Sequence, residues 1–287
     1  PAREVTQGSS DIIVAVLDHG TQLDHPDLNV SSKSYDTETG RSPSQIWGNH
    51  GTACSGIISA KTNNNLGVAG IAPNCPVMSI SNQLMGTSDA PQKRADGFNW
   101  AWRNGASVIS NSWRSSTFSE LLEDAIQSAM TNGRNGLGCV VTFSAGNYDS
   151  NTVGYPARSL PDIIVVGALS LSGKRKSSTT IDNEGWWGSD YGTQLDIMAP
   201  GVLIYTTDRT GSVGYVSGDY MPNFNGTSSA CPHVAGVAAL ILSVNPNLTQ
   251  KEVATIIEKT ARKVRSEEHT SELQSLRHLV CRLLLEK

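Results

Sequence analysis

The sequence predicts an α/β fold: a mostly parallel central sheet, doubly wound, with helices covering both faces. Three observations carry that expectation. Short, nearly continuous apolar runs recur along the chain, segments with apolar residues at spacings of three and four lie between them, and no Pro- or Ser-rich linker divides the chain before residue 264. Apolar runs without polar alternation mark strands buried on both faces, and parallel strands of that kind are joined through helices. The 287 residues are enough for two domains of about 150 residues each, yet α/β folds often use such a length as one. No internal repeat is present, so one domain is expected.

The predicted strands are residues 12–17, 77–80, 107–112, 139–143 and 163–166. The clearest helix covers residues 117–131, where Phe118, Leu121, Leu122, Ala125, Ile126, Ala129 and Met130 recur at helical spacing. Thr117 with Glu120 forms a capping box at its start, and Gly133 stops it. A second helix is predicted over residues 228–243, and a third begins at Thr249, with Glu252 completing a box.

Charged residues make up 17% of the chain, the formal net charge is −4 and the isoelectric point is near 5.9. No basic stripe is available for a phosphate backbone, so nucleic acid is not an expected partner. The longest apolar stretch, residues 234–244, contains Gly236 and is too short to span a bilayer, which predicts a soluble chain without a membrane span. The sequence begins at Pro1 with no charged-then-apolar leader, the pattern expected if a signal peptide has been removed or was not included. Five cysteines at 54, 75, 139, 231 and 281, with no C-x-x-C pair, form no disulfide scaffold and do not fix a redox compartment.

Residues 265–287 differ in character from the rest. The leucines at 273, 276, 279, 283 and 284 suit an amphipathic helix. The alternative is sharper: residues 265–275 and 279–287 are the in-frame translation of a common high-throughput sequencing adapter, and Leu276, Arg277 and His278 fall at its variable index. A non-native tail is therefore expected, and residues 1–264 are the part from which the fold is read.

Three segments place a reactive side chain at the end of a regular element. Asp18 closes the first strand and is followed by His19 and Gly20. His50 opens a segment, residues 50–56, that reads as helical. Ser228 follows Gly226 and Thr227 at the start of a helix that contains Pro232, which is tolerable where first-turn amides lack partners. A hydroxyl at a helix N-terminus sits where partial positive charge favours a developing oxyanion. Serine becomes a nucleophile when an imidazole takes its proton, and the imidazole needs a carboxylate to fix its tautomer.

Asp18, His50 and Ser228 supply those parts in the order Asp, His, Ser, and with the motif Ser144-Ala145-Gly146-Asn147 they resemble the subtilisin-like serine proteases, the subtilases (peptidase family S8). The resemblance covers roughly residues 5–264. It implies a subtilisin-like catalytic domain, extending beyond both ends of the region matched, that hydrolyses peptide bonds through an acyl-enzyme. In that reading Ser228 attacks, His50 moves the proton, Asp18 orients His50 and the Asn147 amide stabilises the oxyanion. It also implies a secreted, extracellular and monomeric enzyme acting on proteins or peptides, made with an N-terminal propeptide and needing no cofactor for catalysis. The rivals are a catalytically silent binding module on the same fold and a peptide ligase on the same site.

The sequence departs from the commonest family pattern at His19, Ala53, Ser229 and Cys231, none of which removes a catalytic group. Cys54 and Cys231, close to His50 and Ser228, read as small buried side chains. His233, Trp186 and Trp187 read as packing or surface residues, and His25 as positional. The Asn-rich loop of residues 62–68 resembles the family's calcium loop, which implies a structural calcium held by Asp27 and Asn64, although the loop is one residue longer than usual. The resemblance maps the substrate groove onto Ser112, Trp113 and Arg114 on one side and Ser144, Ala145 and Gly146 on the other. Arg114 stands where Gly is usual. Gly154 matches a pocket floor that admits large apolar side chains, and Asp149 offers the competing expectation of a basic one.

Overall fold

A computed structural model of the protein describes residues 5–263 and 279–280. Its core is a sheet in which seven parallel strands are ordered β7-β6-β5-β4-β1-β3-β2. They are β1 (Ile13–Asp18), β2 (Tyr35–Asp36), β3 (Val77–Ser81), β4 (Ala106–Asn111), β5 (Val140–Ser144), β6 (Ile164–Leu169) and β7 (Ile197–Pro200). β1, β3, β4, β5 and β6 fall within two or three residues of the predicted runs. A separate antiparallel pair joins β8 (Ile204–Thr207) to β9 (Tyr220–Phe224). Beyond β7 the sheet is extended by two-residue strands, β10 (Arg262–Lys263) and β11 (Leu279–Val280), with Val280 opposite Met198. The rest of residues 265–287, and with it the expected tail, lies outside the described residues.

Alternation along each strand divides the core into two layers. Val14 and Val16 of β1 pack with α1 (His50–Ser59), α4 (Thr227–Val244) and α5 (Gln250–Thr260). Ala15 and Leu17 face the opposite layer, with α2 (Ala90–Arg103) and α3 (Glu120–Gly136). The fold is thus the expected α/β architecture with helices on both faces. β1 lies between β3 and β4, so connections leave it in both directions and open a crevice at the carboxyl ends of these strands. α4 passes through one layer with 72% of its residues buried, which accounts for its strongly apolar sequence.

Two local expectations are corrected. The cap of α3 is Ser119, not Thr117: its side chain accepts from Leu122 N–H, and the Thr117 backbone is engaged with the Ser115 hydroxyl. Regular α geometry does stop at Gly133, where ψ is 156°. Pro232 lies in the second turn of α4, past the orphan amides, and so deprives the Ser228 carbonyl of its intrahelical donor. That carbonyl instead accepts from Ser112 Oγ at 2.9 Å and from the Cys54 thiol at 3.6 Å. The box at Thr249 and Glu252 forms as read. Ser119→Ala should therefore cost about 1 kcal/mol of stability in a denaturant titration, whereas Thr117→Ala should leave the midpoint almost unchanged.

Candidate active site

Asp18 ends β1 with its carboxylate fully buried, because the strand carries it inward at the sheet's carboxyl edge. Its Oδ1 accepts the N–H of His19 at 2.7 Å, and both oxygens meet His50 Nδ1, at 2.9 and 2.8 Å. His50 is the first residue of α1 and is 19% exposed, so the imidazole is buried on its Asp18 side and reachable on the other. Burial alone would depress the imidazolium. The negative Asp18 beside it, with the hydrogen bond it accepts, overrides burial and raises the His50 pKa well above its usual value.

Ser228 is the second residue of α4 and is partly exposed. Its hydroxyl donates to Ser112 O at 3.4 Å and makes no hydrogen bond to His50 among the described residues. Gly226, before it, has φ of +102°, and a Cβ there would lie 3.1 Å from Asn147 Nδ2, so glycine alone fits both the turn and the neighbour. Asn147 follows β5. Its Oδ1 accepts from Thr227 N–H at 2.8 Å and from the Thr227 hydroxyl at 2.9 Å, which directs the NH₂ end of the amide away from Thr227. Thr227 Oγ1 also accepts Gly146 N–H at 3.1 Å, tying the β5 exit to the start of α4.

The neighbouring groups are distributed much as read. Burial raises the Cys54 thiol, and it pushes Cys231 to about 11, so both stay protonated as small buried side chains. Asp18, His50 and Cys54 put ligand atoms within 4.8 Å of one another, but His50 Nδ1 is already committed to Asp18. His233 is pushed down by burial to about 4 and bonds to Ser229 O, a packing role. His25 is buried and tethered to Asp219 O at 3.2 Å. Trp187 is buried, whereas Trp186 is exposed.

Asp27 and Asn64, the residues expected to hold calcium, lie in contact. Asn64 Nδ2 donates to Asp27 Oδ1 at 2.7 Å, and Val68 N–H to Oδ2 at 3.2 Å. The Asp27 carboxylate is fully buried and pairs with no cationic side chain among the described residues. The carboxylate is a hard-oxygen donor of the kind calcium takes, whereas the Asn64 amide oxygen faces the other way, accepting Leu66 N–H at 3.2 Å, so an ion there requires that amide to turn.

In the groove, Ser112, Trp113 and Arg114 leave β4 beside Ser144, Ala145 and Gly146 leaving β5, with Gly154 N–H bonded to Ala145 O at 2.9 Å. Asp149 is held by Arg175 at 2.6 Å and by Ser178 N–H and Oγ at 2.9 Å, so it is not a free acid. Residues 146–150 are further fixed by Asp190, which accepts the N–H groups of Tyr148 and Ser150. Glu184 accepts from Trp187 Nε1 at 2.7 Å and from Asn225 Nδ2 at 3.2 Å, just before Gly226. Thr227, Asp190 and Glu184 were not singled out from sequence. Only Thr227, lying inside the serine motif, carried a local signal.

The family model described as the subtilase family matches residues 9–276. Subtilisin E of Bacillus subtilis is 37% identical over 258 residues, covering 88% of this chain and 61% of the relative. A calcium-dependent protease of Trichormus variabilis is 35% identical over 289 residues, covering 88% of this chain and 42% of the relative. The chain thus spans less than two thirds of the length of these curated relatives. A solved protease from Pseudoalteromonas arctica superposes with a TM-score of 0.74 at 28% identity, covering 91% of this chain and 86% of that one. With a family model that matches most of the chain, these relatives and a matching fold, the chain belongs to the subtilase family.

Proposed function

We propose that this chain is the catalytic unit of a serine endopeptidase that hydrolyses proteins or peptides outside the cell. The observation that carries the reading is the buried Asp18 carboxylate bonded to Nδ1 of a half-reachable His50, beside a serine at a helix N-terminus. With Nδ1 carrying the proton toward Asp18, Nε2 is the basic nitrogen. It takes the Ser228 proton once the hydroxyl leaves Ser112 O, as Oγ adds to the substrate carbonyl. His50 then returns that proton to the leaving amine, and water repeats the sequence to release the acyl group.

The developing oxyanion would be met by two donors. Gly226 O takes the N–H groups of Ser229 at 3.0 Å and Ala230 at 3.4 Å, which leaves the N–H of Ser228 as an orphan donor of the first turn. The other is Asn147 Nδ2, held in orientation because Thr227 occupies the oxygen end of that amide. The positive end of α4 adds to both. Presence of every group that the chemistry needs favours an enzyme over a silent binding module, and no feature of the site favours ligation. An N-terminal propeptide and a monomeric state remain part of the proposal through family membership. Residues 265–287 supply none of these groups, and we take them as a foreign tail.

Calcium forms the second part of the reading. Asp27, with the Asn64 amide turned oxygen-inward and carbonyls of the 62–68 loop, would hold the ion, which would neutralise the buried carboxylate and brace the loop that follows α1.

Ser228→Ala should abolish labelling by a fluorophosphonate and leave only the residual rate due to binding and the oxyanion donors. Asn147→Ala should keep labelling but lower kcat about 100- to 1,000-fold with KM little changed. Undiminished proteolysis by Ser228→Ala would end the reading. Because Asp18 raises the His50 pKa, kcat/KM should climb with pH and its acid limb should lie above the usual imidazole value of about 6.5. A limb at or below that value in a pH–rate profile would contradict the assigned coupling to Asp18. Calcium at 100 times its Kd should add about 2.7 kcal/mol to thermal stability, and Asp27→Ala should erase the shift in a calorimetric scan.

A further inference from the structure

Gly154 sits between the two segments that lead away from Ser228, and Arg114 crosses above it. A Cβ at position 154 would lie 3.2 Å from Arg114 Cβ and 3.5 Å from its Cδ, so the Arg114 stem covers the glycine instead of leaving it open. The guanidinium carbon stands 4.0 Å from the centre of the Tyr148 ring. Both side chains are exposed, with Tyr148 at 67%. Among the described residues Arg114 forms no ion pair. The nearby acids have hydrogen-bond partners of their own, Asp149 in Arg175 and Ser178 and the buried Asp190 in Tyr148 and Ser150 N–H, although Asp190 also attracts the Arg114 charge.

Tyr148 adjoins Asn147, whose amide must reach the carbonyl of the bond being cut. A side chain on that carbonyl's own residue would extend toward Tyr148, Gly154 and Arg114, because Gly154 N–H is bonded to Ala145 O two residues before Asn147 and Arg114 packs on both Gly154 and Tyr148. We propose that Arg114 sets specificity at this position, and that the site takes peptides with a carboxylate side chain, glutamate foremost, immediately before the scissile bond. The proposal rests on the serine-endopeptidase reading.

The chemistry is that of a planar guanidinium held in place by an aromatic face. Its paired N–H groups match a carboxylate, and the stack on Tyr148 limits the freedom lost when the pair forms. A peptide lying over the groove excludes water and strengthens the attraction. Lysine or arginine in the same place meets a like charge, and a large aromatic ring must displace the Arg114 stem. Glutamate reaches one methylene further than aspartate toward a cation set back over Gly154.

The test is a set of peptides identical except for Glu, Asp, Phe or Arg before the cleaved bond, assayed on the full chain with fluorophosphonate labelling of Ser228 run in parallel. The expected kcat/KM for Glu exceeds that for Phe and Arg by roughly 5- to 10-fold at low salt, and the margin narrows in high salt. Arg114→Gly should lose the Glu preference and gain on Phe, Arg114→Gln should lose it without opening the space, and Arg114→Glu should favour the Arg peptide. Faster cleavage of Phe or Arg by the parent, or an unchanged order in Arg114→Glu, with labelling intact, overturns the specificity proposal and leaves the peptidase reading standing. Absence of labelling in the parent overturns both.

Discussion

The backbone carbonyl of Ser228 is the point on which the site's assembly depends. Pro232 has no N–H to give it, so the helix that carries the nucleophile cannot satisfy its own second turn. A buried carbonyl left unpaired costs about 1 to 3 kcal/mol. Here it is met by a hydroxyl from the end of β4 and a thiol from α1, the helix that begins with His50. One missing donor thereby draws three separate segments to one place. The segments that carry Ser112, His50 and Ser228 share a single anchoring atom.

A second constraint is electrostatic. Asp18 is buried at the end of a central strand, a costly place for a charge unless it is well supplied with donors. It has the His19 N–H and the His50 ring, and the same proximity that relieves the carboxylate holds the imidazole in one tautomer. On the opposite side Thr227 sets the Asn147 amide with two hydrogen bonds while receiving one from Gly146. Orientation of both the His50 ring and the Asn147 amide is thus fixed by short-range bonds made before any substrate arrives, which is the preorganisation that the proposed chemistry requires.

Most of the architecture was legible because strands buried on both faces leave nearly unbroken apolar runs, as β1 and β6 do. α2 was not read, since its Gly97 and scattered polar residues blur the helical period and its buried face rests largely on Ala95, Phe98 and Ala101. β7, β8 and β9 are short, and β9 carries polar, exposed residues at its centre. The cap at Ser119 was displaced to Thr117 because Phe118 and Leu121 look like core residues, yet both are exposed. At the site, motif residues were visible because their chemistry needs particular side chains in order. Arg114 was visible only as an anomaly, and Glu184 and Asp190 not at all, because their roles arise from chain crossings that no local pattern records.

The convergence on the Ser228 carbonyl also bears on survival. The protease proposed above would live among copies of itself, its lifetime governed by how often a stretch of backbone opens far enough to enter a neighbour's groove. Where the active centre is held by a free-standing loop, such openings are small and frequent. Here the nucleophile helix is buried in one layer of the core and bonded to segments 116 and 174 residues distant in sequence, so it cannot loosen without disturbing β4 and α1 as well. Opening of the catalytic centre is in effect opening of the whole layer, a rare event. Vulnerability to self-digestion is thereby shifted to peripheral turns, where a nick leaves the chemistry untouched.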